Sequence, residues 1–398
     1  MAASVLHMEH WLLPKSALIT EAGAAGKIVF DVTKYGAVAD GITDNSKVFQ
    51  KVFNKACQSE GYNSVLIPDG KYMLGPVQFS GPCKGPMAFI IKGALISHTD
   101  VGSYGSRLYH WITFNSIDRL VVGGGGSLDG RGPSAWAHNT CSKSKSCVPL
   151  PSSMGFNYVN NSRVTHLTSI NSMGVHMNLY RCSGMRFDHI HLIAPEDSPN
   201  TDGIHIGEST HIDISTAVIA TGDDCVSLSP GCSSINVTNV WCGPGHGISV
   251  GSLGRTANEE DVNGLTVTNC TFIGTQNGLR VKTWASSFAS NVFDLTFQQI
   301  HMEDVYNPII IDQQYCPYDN CQKGNSQVQI RNVKYINIKG TSRSKIAIAL
   351  ECSRSKPCEK IELSDIELVY SGTGGPASSS CNNANGAAYG PQNPPSCI

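Results

Sequence analysis

One apolar pattern recurs along the second half of the chain and limits the fold more than any other feature. Its template, apolar-x-apolar-x-x-apolar-x-apolar, describes two period-2 segments joined by a two-residue corner. The matching units begin at Met185, Ile212, Ile235, Leu265, Leu295, Val328 and Ile361. The spacing between their starts varies, but it stays within the range that solenoid repeats occupy. Repeats of this length indicate a solenoid, in which each unit packs only on its neighbours.

A second apolar triplet lies between these units. It occurs at residues 204–206, 226–228, 248–250, 279–281, 309–311 and 346–348. Each repeat therefore holds about three short strands, and the sequence predicts an all-β, right-handed parallel β-helix. A propeller is the competing all-β fold, but it needs four longer strands in each repeat of about 40–50 residues.

The two ends of the chain are predicted to differ from the repeats. Apolar residues at helical spacing follow Thr43-Asp44-Asn45, so we predict a short helix within residues 43–60 that caps the N-terminal rim. Residues 1–27 carry an interrupted apolar run and are predicted to be an unusual or truncated leader, or a poorly ordered segment. Residues 28–398 are predicted to form one catalytic domain, with an irregular tail rich in Gly, Ser, Asn and Pro from about residue 372.

The 15 cysteines indicate an oxidising compartment, because cytosolic proteins rarely hold so many. Close pairs that could form disulfides are Cys141/Cys147, Cys316/Cys321, Cys352/Cys358 and Cys381/Cys397. Zinc is the alternative ligand, but no pair has C-x2-C spacing or a His-x3–5-His partner. The odd count leaves at least one free thiol, for which Cys270 in an apolar repeat position is a candidate.

The charge and hydropathy of the chain exclude several kinds of partner. The formal net charge is −2, which favours neither nucleic acid nor an anionic membrane as a partner. No run approaches the ~18 apolar residues of a membrane span. We therefore predict a secreted, extracellular or cell-wall protein that acts as a monomer.

Three aspartates and one histidine, which come from three successive repeats, form the main candidate site. Asp202, Asp223 and His246 follow one another at intervals of about one repeat, and Asp224 comes directly after Asp223. Stacked coils would place these side chains about 4.8 Å apart. Aspartates in such folds often cap turns, but three in one patch raise one another's pKa, a cost that indicates function. The cluster suits acid/base hydrolysis of a glycosidic bond.

Two cations lie one repeat beyond the acids. Arg280 and Lys282 flank Val281 in a predicted strand, so both point to the same face. They indicate recognition of a substrate carboxylate, and a solvated basic strand is the alternative. His246 could orient the acid or simply occupy a turn, and Tyr315 could stack on a sugar ring or pack against the wall. The residues thus favour an acidic sugar polymer as the substrate.

Four segments of the chain resemble the signature segments of polygalacturonases, glycoside hydrolase family 28. They are Asn200-Thr201-Asp202, Gly222-Asp223-Asp224-Cys225, the run from Cys242 to Gly254, and Arg280-Val281-Lys282. The likeness extends over about residues 30–397 and is nearest to plant exo-acting enzymes of the pollen type. It implies a β-helix that hydrolyses α-1,4-galacturonosidic bonds of pectin by inversion, with no metal and no cofactor.

The resemblance also implies a role for each site residue. Asp223 is the general acid, Asp202 and Asp224 hold and deprotonate the water, and His246 supports the acid. The residues implied to bind substrate are Asn200, Arg280, Lys282 and Tyr315. The resemblance further implies a disulfide between Cys225 and Cys242.

Other functions remain open from the sequence. Endo action would need a cleft open at both ends, whereas a pectate lyase would use Ca²⁺ and a basic residue for β-elimination. A catalytically silent wall-binding β-helix is a third alternative, which the intact trio of acids disfavours. Sequons at Asn160, Asn236 and Asn269 fit a secreted glycoprotein.

Overall fold

The computed structural model describes residues 28–104, 109–139, 141, 147, 149–317, 321 and 324–398. Strands before residue 150 are β1 (Ile28–Asp31), β2 (Asp40–Asp44), β3 (Asn63–Ile67), β4 (Lys71–Leu74), β5 (Val77–Ser80), β6 (Met87–Ile91), β7 (Ala94–Ser97), β8 (His110–Asn115), β9 (Leu120–Gly123) and β10 (Ser127–Asp129). Those that follow are β11 (Ser152–Asn157), β12 (Asn160–Ile170), β13 (Met177–Tyr180), β14 (Ser183–Ile193), β15 (Ile204–Gly207), β16 (Thr210–Ala220), β17 (Val226–Leu228), β18 (Ser233–Cys242), β19 (Ile248–Leu253), β20 (Val262–Thr268), β21 (Thr271–Ile273), β22 (Asn277–Trp284), β23 (Ala289–Val305), β24 (Asn307–Tyr315), β25 (Gln327–Ser342), β26 (Ile346–Glu351), β27 (Cys358–Tyr370), β28 (Ser378–Asn382) and β29 (Ala384–Asn393).

These strands stack as coils, which confirms the predicted parallel β-helix. One sheet contains 18 strands and a second, smaller sheet contains β5, β8, β11, β13, β15, β17, β19, β22, β24, β26 and β28. Neighbouring strands pair in parallel, so each coil satisfies the backbone groups of the next. Side chains that alternate inward fill the space between the sheets with apolar ladders.

The helix α1 (Ser46–Cys57) lies where the sequence predicts a cap. Its buried residues include Phe49, Val52 and Phe53, and it packs against β1, β3 and β5 at the start of the solenoid. Its first turn is held by Asp44, whose Oδ1 accepts from the Ser46 N–H at 2.9 Å. Four 3₁₀ segments complete the described helices, at Val32–Tyr35, Val101–Tyr104, Gly132–Ser134 and Trp136–His138. Among the described residues, no helix is both long enough and apolar enough to span a membrane.

The predicted repeat is confirmed with one correction of register. A single buried inward column contains Met185, Ile212, Ile235, Leu265, Leu295, Val333 and Ile361. Val333 therefore takes the place predicted for Val328, which instead pairs with Ser290. The strand β25 has left-handed residues at both Asn332 and Asn337, so the template that begins at Val328 fits one corner too early. In the smaller sheet Ile348 pairs with Ile309, so the triplet predicted at 346–348 begins too early in the chain.

A two-residue corner is present after each step of this column, and its second residue has a left-handed backbone. The φ angles lie between 49° and 55° at His189, Thr216, Asn239, Asn269, Gln299, Asn337 and Asp365. These residues follow one another in register from coil to coil. Left-handed residues reverse the pleat, so the period-2 pattern restarts on the same inner face after every corner.

The prediction of an irregular C-terminal tail is wrong. Residues beyond 372 form β28 and β29, which pair in parallel with β26 and β27. Their Ser, Gly, Asn and Ala side chains carry no apolar alternation, and the backbone bonds to the preceding coil determine their structure instead. The leader predicted for residues 1–27 lies outside the described residues, and the extent of the single domain stays a prediction.

Six disulfides join described cysteines. The predicted bonds Cys141–Cys147, Cys225–Cys242, Cys316–Cys321, Cys352–Cys358 and Cys381–Cys397 are confirmed. The sequence did not indicate Cys57–Cys83, which fixes the end of α1 to the segment after β5 across a sequence separation of 26. Cys182, Cys232 and Cys270 are free and buried, so the expectation for Cys270 is confirmed.

Candidate active site

The candidate site lies on the outer face of the smaller sheet, where four neighbouring strands meet. Asp202 precedes β15, the pair Asp223 and Asp224 precedes β17, and His246 precedes β19. Arg280 and Lys282 are part of β22. Because β15, β17, β19 and β22 are adjacent in the sheet, segments far apart in sequence come together, as the sequence predicts.

Two glycines let the coils approach closely enough to build this cluster. A Cβ at Gly222 would lie 2.1 Å from the carbonyl oxygen of Ser198. Gly245 has a φ of 133°, and a Cβ there would lie 2.5 Å from the carbonyl oxygen of Asp223. Both positions therefore require glycine. The bend before β17 also removes the strict alternation that would place neighbouring aspartates on opposite faces.

Asp223 is held from two sides while its carboxylate remains accessible. Its Oδ1 lies 2.9 Å from Nδ1 of His246 and accepts the backbone N–H of Asp224 at 2.8 Å. Its Oδ2 accepts from Nδ2 of Asn200 at 3.2 Å, and Asn200 in turn accepts from Asn139 at 3.0 Å. The Asp223 side chain is 17% exposed, against 2% for Asp224. Asp223 is therefore both oriented and open to a ligand.

Asp224 is an anchored anion. Its Oδ1 accepts from Ser249 at 2.7 Å and from Arg280 at 2.8 Å, and its Oδ2 accepts from Lys282 at 2.9 Å. Burial alone would raise the pKa of Asp224, but the charges of Lys282 and Arg280 hold that pKa well below its ordinary value. A carboxylate stabilised in this way is a weak base.

Asp202 has the opposite electrostatic environment. Burial raises its pKa well above the ordinary value, and the negative charges of Asp223 and Asp224 raise it further. Its Oδ2 accepts one hydrogen bond, from the Ser227 hydroxyl at 2.8 Å. Asp202 is therefore a stronger base than Asp224, which distinguishes two carboxylates that the sequence treats alike.

Arg280 and Lys282 point to the same face, as predicted, and both contact Asp224. Their side chains are 12% and 10% exposed, so the alternative of a solvated basic strand does not fit. Lys282 Nζ lies 5.4 Å from the centre of the Tyr315 ring, which packs edge-on against Trp284. Tyr315 thus borders the cluster, one coil beyond the cations.

Three polar residues of the site were missed by sequence reasoning. They are His205, Ser227 and Ser249, which are the central residues of the triplets at 204–206, 226–228 and 248–250. The signal was present, because the middle residue of each triplet must face outward when its neighbours face the core. These positions form the row of the sheet that leads to Arg280.

The cluster could supply metal ligands by distance alone. Ligand atoms of Asp223, Asp224 and His246 lie within 4.8 Å of one another. Lys282 and Arg280 already contact Asp224, however, and a divalent cation there would meet two positive charges at close range. The donor set therefore fits acid/base chemistry better than metal binding.

The fold and the site together define a class of protein, a parallel β-helix with a cluster of carboxylates and cations on its outer face. The sequence pattern of the Glycosyl hydrolases family 28 matches residues 57–397. An exopolygalacturonase of Platanus acerifolia is 44% identical over 368 residues, which are 92% of this chain and 97% of that protein. A polygalacturonase of Nicotiana tabacum is 42% identical over 93% of this chain and 92% of its own length.

A solved structure has the same architecture. The endo-xylogalacturonan hydrolase of Aspergillus tubingensis superimposes with a TM-score of 0.78 at 23% identity, covering 92% of this chain and 99% of that one. This likeness supports the β-helix fold. On the family match and the plant relatives, the chain belongs to glycosyl hydrolase family 28.

Proposed function

We propose that this protein hydrolyses α-1,4-galacturonosidic bonds of polygalacturonan, with inversion at the anomeric carbon and from the chain end. The observation that carries the proposal is that the three acids have three different environments. Asp223 is oriented and accessible, Asp224 is a fixed anion, and Asp202 is a stronger base than Asp224. Family membership and the exopolygalacturonase relative support this substrate and this mode of attack.

The mechanism assigns one step to each acid. Asp223 donates a proton to the leaving oxygen while His246 and Asn200 hold its carboxyl group. Asp202, in its ionised form, accepts the proton of the attacking water, and its raised pKa makes it a stronger base than Asp224. Asp224 orients that water and fixes the cations, since both of its oxygens already accept hydrogen bonds.

The cations supply recognition of a uronate carboxylate. Two positive charges face one ionised aspartate, so a net positive charge remains at the inner end of the cluster. A galacturonate carboxylate would meet this charge in a partly dry cleft, where a charge-assisted hydrogen bond is strong. The proposed partner is therefore a pectic polysaccharide, with Tyr315 as a sugar-contacting side chain beside Lys282.

The proposal extends to location. The disulfides need an oxidising compartment, which supports secretion to the cell wall. The sequon residues Asn236 and Asn269 are exposed, whereas Asn160 is partly buried. Glycosylation is therefore proposed at Asn236 and Asn269.

A timed product analysis on polygalacturonic acid tests the function. We expect galacturonate monomer from the earliest time points, with a slow fall in viscosity. Early oligomers and a rapid fall in viscosity would refute the exo mode. Products that absorb in the ultraviolet would show β-elimination and refute hydrolysis altogether.

A further inference from the structure

A chain of hydrogen bonds leads from Asp202 along the floor of the site. The Ser227 hydroxyl donates to Asp202 Oδ2 at 2.8 Å, and Ser227 Oγ lies 2.8 Å from Nδ1 of His205. On the far side of the ring, Nε2 of His205 lies 3.1 Å from the Ser229 hydroxyl. His205 and Ser227 face each other on the paired strands β15 and β17.

Only one arrangement of protons satisfies this chain when Asp202 is ionised. The Ser227 hydroxyl has a single proton, so a hydroxyl that donates to Asp202 must accept from the other side. The acceptor role of Ser227 requires a proton on Nδ1 of His205. Nε2 of the neutral ring is then an acceptor, and the Ser229 hydroxyl donates to it. The three side chains thereby fix one another.

The surroundings of the His205 imidazole keep it neutral, and burial is the main cause. Burial lowers the pKa of His205 to about 4, and the positive charge of Lys282 adds to this effect against the negative charges of Asp224 and Asp223. The groups facing Asp202 are the same three charges together with the Ser227 hydroxyl. A neutral ring carries one N–H, and Ser227 is the partner placed to receive it.

We propose that His205 is a positioning residue for Asp202. His205 acts through Ser227, because it fixes the Ser227 hydroxyl as a donor to the Asp202 carboxylate. The inference rests on the proposed function, in which ionised Asp202 takes the proton of water. His205 is linked to the carboxylate only through the Ser227 hydroxyl and need not touch the substrate. Its contribution is to hold one Asp202 oxygen in place and to support the ionised form.

The expected effect has a definite sign. A donated hydrogen bond stabilises the ionised carboxylate and so lowers the pKa of Asp202, as the Ser227 contact does. Removing the donor raises that pKa. Because the proposed mechanism requires ionised Asp202, the acid limb of the kcat/KM profile moves to higher pH, by roughly one unit for a bond to a charged group. At pH values below the limb, kcat/KM of a variant without the donor should be about tenfold lower than that of the wild type. Above the limb the difference should be small.

The experiment compares pH profiles of kcat/KM on polygalacturonate for a set of variants. Ser227→Ala removes the donor, and His205→Leu removes the residue that fixes it. His205→Asn places an amide N–H near the position of Nδ1 and should restore the wild-type limb. His211→Leu is the matched control, an exposed histidine on the other sheet that should leave the profile unchanged. Thermal unfolding confirms that each variant is folded.

The double variant gives the sharpest result. If His205 acts through Ser227, the limb of Ser227→Ala/His205→Leu lies where that of Ser227→Ala alone lies. Additive shifts would overturn the proposal. So would a His205→Leu variant that loses activity equally at every pH, because such a loss indicates a purely structural role.

A second measurement does not depend on activity. The ¹⁵N shifts of the imidazole, assigned by comparison with His205→Asn, should show the Nδ1-protonated neutral ring at neutral pH. An Nε2-protonated ring would overturn the inference. If the wild type does not hydrolyse polygalacturonate, the proposed function fails, while the NMR result still decides the hydrogen-bond arrangement.

Discussion

Replacing Lys282 by Met should destabilise the fold through Asp224. The change removes the ammonium group 2.9 Å from Oδ2 and leaves the carboxylate, whose side chain is only 2% exposed, with Arg280 and Ser249. Breaking a buried pair in this way costs about 3–5 kcal/mol, and the two remaining donors place the cost near the lower value. For a chain of 398 residues this corresponds to a fall of roughly 4 °C in Tm.

The pH dependence of this loss follows from the lowered pKa of Asp224. A carboxyl group with a lowered folded pKa contributes stability above its unfolded pKa, about 3.9, and loses it as the pH falls toward the folded pKa. The difference in Tm between wild type and Lys282→Met should therefore be largest near neutral pH. It should narrow when the pH is taken below about 4.

Differential scanning calorimetry at several pH values measures this gap, and the chain provides a matched control. Lys334 pairs with Glu362 across neighbouring coils at 3.5 Å, but these side chains are 42% and 30% exposed. Lys334→Met should cost at most about 1 kcal/mol. Equal losses for the two variants, or a gap for Lys282→Met that does not change with pH, would refute the account of Asp224 as an anchored anion.

Three further predictions follow from the proposed mechanism. Asp223→Asn should lower kcat by about 10²–10⁴-fold with the fold retained, and a variant that keeps more than about a tenth of kcat would remove Asp223 from the role of general acid. Proton NMR in the first minutes of hydrolysis should show the inverted anomer, and early retained product would make an aspartate a nucleophile. Arg280→Lys should lower kcat/KM about ten- to a hundredfold, because Lys lacks the planar fork, and Lys282→Ala should narrow the disadvantage of methyl-esterified polymer. Both variants cutting free and esterified polymer in the wild-type ratio would show that the cations do not recognise the carboxylate.

The sequence was sufficient for the fold because each step of the apolar ladder is encoded locally. An inward column such as Met185, Ile212 and Ile235 needs an apolar residue at the same point of every unit, whatever the length of the loop between units. The same property caused the register error at Val328, since a strand with two corners repeats the template within itself. Only the pairing of the neighbouring strand distinguishes the two alignments.

The sequence predicted which residues form the candidate site, but not which charges contact each carboxylate. Spacing brought Asp202, Asp223 and Asp224 together, yet it could not show that the cations contact only the last of them. That difference depends on which oxygen faces which neighbour across coils. His205, Ser227 and Ser249 were missed because Ser and His are ordinary residues on an exposed strand, and their hydrogen bonds across coils appear only in the assembled sheet.

The left-handed corners belong to a part of each coil that keeps its length, whereas the rest of the coil varies in length. The corner keeps its length in every coil, whereas the coils themselves differ in length, as the short step from Ile212 to Ile235 and the long step from Leu295 to Val333 show. The variation in length therefore lies in the connections that enter and leave the smaller sheet, such as residues 254–261. The strand register, by contrast, keeps the acids beside one another in successive coils. A connection of this kind can therefore change in length without moving the acids.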